Sequence, residues 1–364
     1  MQRRTRLVLV LVTTLTCLCV AESRAQSSSK SLLFLSGRVE QKPPGDPSKY
    51  RIRSFLPDAK LQPKLKAWGY TWWADFFSTQ LTLEWLKQFN AVVALDFPTI
   101  EKHRDVATEI RAVEAMLHEY VREGGGLLLT SAIESSQWGL ERNTEELNRF
   151  LAPLGAQVNL EQVYEKNPIL RLPKPNPRSS ISRLAWTGNV SEHTLTEGVK
   201  GLIYPTDPGS MCYYTHPVRA DDTWSILLRA SDTACSITTP LGTKNSRKEQ
   251  TPGTWEEAPP LLAARQVQKG RIALWPTIPS ATIIDGYHEF WGRGLIMTES
   301  DTNHPSSGER LIRNLLEWLT APSRNTFGGF KAPPRKEEKE AGLHRIPWDK
   351  IRLPKRQFAG THKG

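Results

Sequence analysis

At 364 residues, with 38% hydrophobic and 24% charged residues, the chain is long enough for one large or two ordinary domains with a real core. The formal net charge of +10 invites a nucleic-acid reading, but residues 1–25 carry +3 and residues 323–364 carry +7, so 26–322 sums to zero. A neutral body with charge only at its ends is no nucleic-acid-binding surface.

The chain begins with Arg3, Arg4 and Arg6, continues through an apolar run at 7–20, and reaches Ser23-Arg24-Ala25. This is the pattern of a secretory signal peptide, with cleavage expected after Ala25, and it predicts a secreted or periplasmic protein. The alternative, a retained membrane anchor, needs a longer run than this one, since a span takes ~20 residues. No later segment is apolar enough to span a membrane. Export leaves Cys212 and Cys235, which either form a disulfide or remain two half-buried thiols.

Residues 32–35 can form a short strand, 41–49 (QKPPGDPSK) are turn material, and 50–56 alternate as the first strand of a sheet would. Trp68, Tyr70, Trp72, Trp73, Phe76 and Phe77 crowd ten positions, either as a core wedge or as a platform for the C–H face of a sugar. Trp72 and Trp73 are its candidate ligand-binding residues. Thr82 is placed to cap a helix at 83–89, and the run 91–97 is apolar except for Asp96. Asp96 stands at that strand's carboxyl end, where open α/β sheets bind ligands.

Val106, Ile110, Val113, Leu117 and Tyr120/Val121 form one helical stripe, ended by Gly124-Gly125-Gly126. A buried strand follows at 127–132, giving half of a βαβ unit. Asn143 and Glu146 have capping-box spacing ahead of Leu147, Phe150, Leu151 and Leu154, and Gly155 leads to a strand at 156–160. Alternating strands and helices predict a mainly parallel α/β sheet with helices on both faces. From about 160 to 300 prolines and short alternating runs predict a β-rich second half. Residues 270–276 read as a further buried strand and 309–319 as a closing helix. Residues 323–364 read as a basic tail or linker. The body is thus expected to occupy 26–322.

Four stretches carry a resemblance: EYVREGGGLLLTS at 119–131, LNRFLAPLGAQV at 147–158, EHTLTEGVKGL at 192–202 and KGRIALWP at 269–276. They resemble the class I glutamine amidotransferase-like superfamily, and within it the ThuA-like, non-amidotransferase branch of exported, sugar-associated bacterial proteins. The resemblance covers about residues 50–320. It implies a flavodoxin-like sheet and, in true amidotransferases, a nucleophilic Cys on an elbow after a central strand, with a later His and Glu. Here that place holds Thr130, Ser131 and Ala132, and no His follows soon after, as it often does in the ThuA-like branch. Glutaminase activity is therefore not expected. The end of the chain, with FKAPP and IPWDKIRLPKRQFAG, resembles a connector to a further domain.

Ser131 would be a nucleophile only with a base in reach, and no motif links it to His118, His193, His216, His288 or His304. The segment Asp285-Gly286-Tyr287-His288-Glu289-Phe290-Trp291 is the most chemically loaded. Tyr287 and Trp291 are candidate ligand contacts, and His288 and Glu289 candidate catalytic groups. No metal-ligand spacing, phosphate loop or cofactor motif occurs. Two functions follow. The first is a non-catalytic domain with a carbohydrate or protein partner. The second is an exported sugar-processing hydrolase using Asp96, His288 and Glu289. A third reading has the basic tail contacting an anionic surface.

Overall fold

In a computed structural model, the described residues are 30–40, 57–78, 81–95, 97, 107–130, 143–171, 183–206, 215–238, 250–277, 283, 297 and 304–331. The first half of the chain alternates strands β1 (Lys30–Glu40), β2 (Tyr70–Ser78), β3 (Ala91–Ala94) and β4 (Gly126–Thr130) with helices α1 (Leu61–Ala67), α2 (Leu83–Leu86) and α3 (Ala107–Arg122). Helix α4 (Asn143–Leu151) and a 3-10 turn at Ala152–Leu154 lead into β5 (Ala156–Val158). Short strands then dominate: β6 (Gln162–Glu165), β7 (Leu170–Arg171), β8 (Arg183–Thr187), β9 (Leu202–Pro205), β10 (Val218–Ala220) and β11 (Ser225–Arg229). They continue with β12 (Ala234–Thr238), β13 (Thr251–Pro252), β14 (Pro260–Val267) and β15 (Gly270–Trp275), and α5 (Gly308–Thr320) closes the series.

The main sheet has the order β11-β14-β15-β4-β3-β1-β2. Strands β2, β1, β3, β4 and β15 are parallel, and β14 and β11 add an antiparallel margin. The parallel part therefore has flavodoxin-like order, reversing direction between β1 and β3. Three small antiparallel sheets, β10-β5, β13-β12-β6 and β7-β8-β9, make the second half β-rich.

Because side chains alternate along a strand, β1 sends Leu32 and Phe34 to one face and Leu33 and Leu35 to the other. The first face is covered by α1 and α5 through Leu61, Leu65, Leu311, Leu315 and Leu319, together with apolar residues of the second half. The second is covered by α2, α3 and α4 through Leu86, Ile110, Val113, Leu117, Leu147 and Phe150. Arg149 of α4 forks onto Glu114 of α3 at 3.2 and 2.7 Å, and also pairs with Glu146.

The glycine stop works in two ways. Only Gly124 needs a left-handed backbone, at φ 124°. Gly125 and Gly126 are needed for space: a Cβ would stand 2.2 Å from the Tyr120 ring and 2.4 Å from Leu319 O respectively.

The aromatic crowd at 68–77 is mostly strand β2, at the margin of the sheet beside β1. Residues 32–35 lie within β1, the strand beside β3, while residues 50–56 lie outside the described residues. Residues 323–331 also pack onto the body. Ser323 and Phe327 offer carbonyls to Asn90 Nδ2 at 3.0 and 3.2 Å, and Gly328 N and Phe330 N donate to Lys87 O and Gln88 O. The compact unit accordingly ends at Lys331. The expected signal segment and the tail beyond 331 lie outside the described residues. Among the described residues no helix is long and apolar enough to cross a membrane.

Candidate functional site

The two ends of the parallel sheet are built differently. At the amino end Asn90, 1% exposed, accepts from Ser31 N at 2.9 Å and donates to the 323–327 segment, so the edge is tied shut. At the carboxyl end β3 continues its pairing as Leu95 N donates to Leu35 O at 2.8 Å. Thr130, the last residue of β4, is buried, with its hydroxyl 3.0 Å from both Ala94 O and Leu95 O. A carbonyl can only accept, so the Thr130 proton is held between two main-chain oxygens of β3.

Trp275, the last residue of β15, is the register partner of Thr130. Just beyond it Thr277 bridges Thr215, with their hydroxyls 3.2 Å apart. Thr215 donates to Pro205 O at 3.1 Å, so Thr277 is the donor between the two hydroxyls. The indole N–H of Trp275 differs from these groups. The residue is 1% exposed, and Nε1 meets no acceptor among the described residues. Burying such a donor unpaired costs about 1–3 kcal/mol.

His216 is buried beside this end, with its main-chain N donating to Pro276 O and Nδ1 2.5 Å from Glu161 O. The carbonyl fixes the tautomer with the proton on Nδ1. Burial lowers its pKa to about 4 against the opposing bond to Glu161 O, so His216 is neutral at ordinary pH. Burial would raise the Glu161 carboxyl, but hydrogen bonds from Ser236, Thr254 and Asn159 outweigh it and hold it below its usual range. Its oxygens accept from Thr254 N at 2.9 Å and Thr254 Oγ1 at 2.5 Å. Glu165 accepts from Ser231 Oγ, from Thr233 Oγ1 at 2.6 Å and from Asn167 N at 2.8 Å. These carboxylates hold turns together. Among the described residues no group of three or more His, Cys, Asp or Glu side chains could hold a metal.

Asp96 follows Leu95 in sequence, Ser131 follows Thr130, and the segment with Tyr287, His288, Glu289 and Trp291 comes after Thr277. All six lie outside the described residues. Chain connectivity leads to them from the carboxyl ends of three neighbouring strands, β3, β4 and β15. The structure separates Trp72 from Trp73. Trp72 is half-buried against Phe34 on the α1 and α5 face, with ring centroids 6.1 Å apart. Trp73 lies on the opposite face, 5.3 Å from the Phe330 ring, so the two indoles do not form one sugar platform. Cys235 has no disulfide partner among the described residues, and Cys212 lies outside them. Burial raises the Cys235 thiol.

No family model matches this chain. No curated protein matches it either. Solved structures with a similar fold include the mmIFT52 N-terminal domain, at 14% identity and TM-score 0.46, over 80% of this chain and 97% of that one. A protein described as ThuA-like from Bacteroides uniformis matches at 11% identity and TM-score 0.40, over 81% of this chain and 93% of that one. A glutamine amidotransferase from Thermotoga maritima matches at 10% identity and TM-score 0.39, over 80% and 98%.

Proposed function

We propose that the chain is a secreted or periplasmic, amidotransferase-like α/β domain that binds a ligand at the carboxyl edge of its parallel sheet and lacks glutaminase activity. The observation that carries this reading is the end of β4. An activated nucleophile needs an exposed group beside a base. Here Thr130, Ser131 and Ala132 stand where a thiolate nucleophile would be needed, with no cysteine among them, and the Thr130 hydroxyl is buried with its proton held by Ala94 O and Leu95 O. The strand order supports a binding role, because sheets that reverse direction in this way receive ligands beyond their carboxyl ends. The ligand class proposed is a saccharide, for which Tyr287 and Trp291 in the segment after β15 are the candidate contacts, and the N-terminal pattern at 1–25 supports export.

The test uses the purified full chain. Ammonia release from glutamine is expected to stay at the buffer level, while a panel of neutral saccharides is expected to raise the melting temperature. Glutamine turnover that disappears on Ser131→Ala would overturn the non-catalytic reading. A flat thermal-shift panel would remove the saccharide part.

A further inference from the structure

Residues 323–331 follow α5 and cross the amino end of the sheet as turns, without helix or strand. Hydrogen bonds to a short stretch of the body hold them there. Asn90 Nδ2 donates to Ser323 O and Phe327 O, and Ser323 Oγ donates to Asn90 O at 3.1 Å. Gly328 N and Phe330 N donate to Lys87 O at 2.9 Å and Gln88 O at 3.3 Å. Two rings add apolar contact. The Phe330 centroid lies 4.5 Å from that of Phe89 and 5.3 Å from that of Trp73, and Phe327 lies 5.7 Å from Tyr120. Both phenylalanines are only half-buried, and Arg324, Asn325, Thr326, Gly329 and Lys331 are exposed. The pair of Arg324 with Glu317, at 3.1 Å between two part-exposed side chains, adds little.

The sheet beneath has bonds of its own. Asn90 N donates to Ser31 O at 2.8 Å, Gly126 N to Asn90 O at 3.1 Å, and Ser31 Oγ to Gln88 O at 2.8 Å. Tyr120 Oη donates to Phe89 O at 3.0 Å. None of these involves a residue beyond 322, so lifting the segment leaves the strand pairing whole. Laying it down costs chain entropy, most of all at Gly328 and Gly329, which are held at left-handed φ of 105° and 88°. Few buried apolar contacts and exposed neighbours mark a segment that opens before the fold does.

We propose that residues 323–331 are a latch that opens and closes as one unit on an intact sheet, with the Phe330 ring between Trp73 and Phe89 as its catch. Closed, the latch fixes the exit of the chain after Lys331 at the amino end of the sheet, away from the carboxyl edge. Open, it adds nine residues to the connector that leads onward, about 30 Å when extended. The latch thus switches the connector between a short and a long form without unfolding the body.

Hydrogen exchange of the full chain in increasing urea, read by mass spectrometry, tests this. The peptide spanning 323–331 should exchange faster than those of β3 and β4. Its rate should respond weakly to urea, because a small opening exposes little surface. Phe330→Ala should speed that exchange, and tryptic cleavage after Arg324, about tenfold. Thr130→Val weakens the sheet at its other end, so it should speed exchange in β3 and β4 and leave the 323–331 peptide unchanged.

A 323–331 peptide that exchanges at the rate and urea slope of β4 would overturn the latch, since the segment then opens only with the whole fold. Exchange at the rate of an unstructured chain in the wild type would also overturn it, because no closed state exists. An unchanged rate in Phe330→Ala would remove the ring as the catch. Loss of the folded state in Phe330→Ala would show that the segment belongs to the core, which refutes opening on an intact sheet.

Discussion

Asn90→Ala tests how the amino end of the sheet is held. The side chain is 1% exposed and joins three separate parts of the chain. Its Oδ1 accepts from Ser31 N at 2.9 Å and Ser31 Oγ at 3.3 Å, while Nδ2 reaches Ser323 O at 3.0 Å and Phe327 O at 3.2 Å. Each ordinary hydrogen bond contributes about 1 kcal/mol, and a buried N–H left without an acceptor costs about 1–3 kcal/mol. Alanine removes the bonds and strands Ser31 N–H, so the expected loss is about 3–5 kcal/mol. Urea unfolding followed by tryptophan fluorescence measures it. A chain ending at Pro322 should show a smaller effect of the same substitution, since the partners of Nδ2 are gone and the two changes are coupled. A loss below about 1 kcal/mol in the full chain would refute the idea that this residue clasps the edge.

Further expectations concern other places in the fold. Gly270→Ala puts a Cβ 2.0 Å from Val121 O and 2.4 Å from Gly125 O, both main chain, so soluble yield should collapse; a normal melt would show that the packing is looser. Thr130→Val should cost about 1 kcal/mol in urea unfolding, by removing the hydroxyl between Ala94 O and Leu95 O. Glu161 has a carboxyl held below its ordinary value, so the folded state binds its proton less readily than the unfolded chain. Its contribution is present above the unfolded value and fades as pH falls through the folded one, and Glu161→Gln should therefore destabilise at neutral pH with the difference closing in acid. His216 works over a higher window. Its pKa falls from 6.5 to about 4 on folding, so stability should drop as pH descends through that interval, and His216→Gln should flatten the profile measured by chemical denaturation.

The central α3, glycine turn and β4 were legible because their signals are local: a helical stripe, a glycine stop and an apolar run within 27 residues. Strand β2 was harder to read. Both of its faces are covered, so Trp72 and Trp73 are apolar neighbours that point to opposite sides, and the period of two disappears into an aromatic cluster. The candidate site was legible in outline. Asp96 and Ser131 were picked out because ligands gather beyond strand ends, and β3 and β4 do lie side by side.

The sequence by itself determined the alternation of helices and buried strands, and hence a mainly parallel α/β sheet, because those patterns repeat over a few residues. It also determined that Ser131 and Ala132, directly after β4, stand where a nucleophilic cysteine would be. The tertiary structure decided the strand order, the extension of the body to Lys331, and which polar groups have partners. Asn90 meets Ser31 from 59 residues away and Ser323 from 233 residues away, and no local pattern encodes a pairing at that distance. The same holds at the other end of the sheet. Thr130 gives its proton to β3 while Trp275 keeps its own, a difference set only when distant strands pack together.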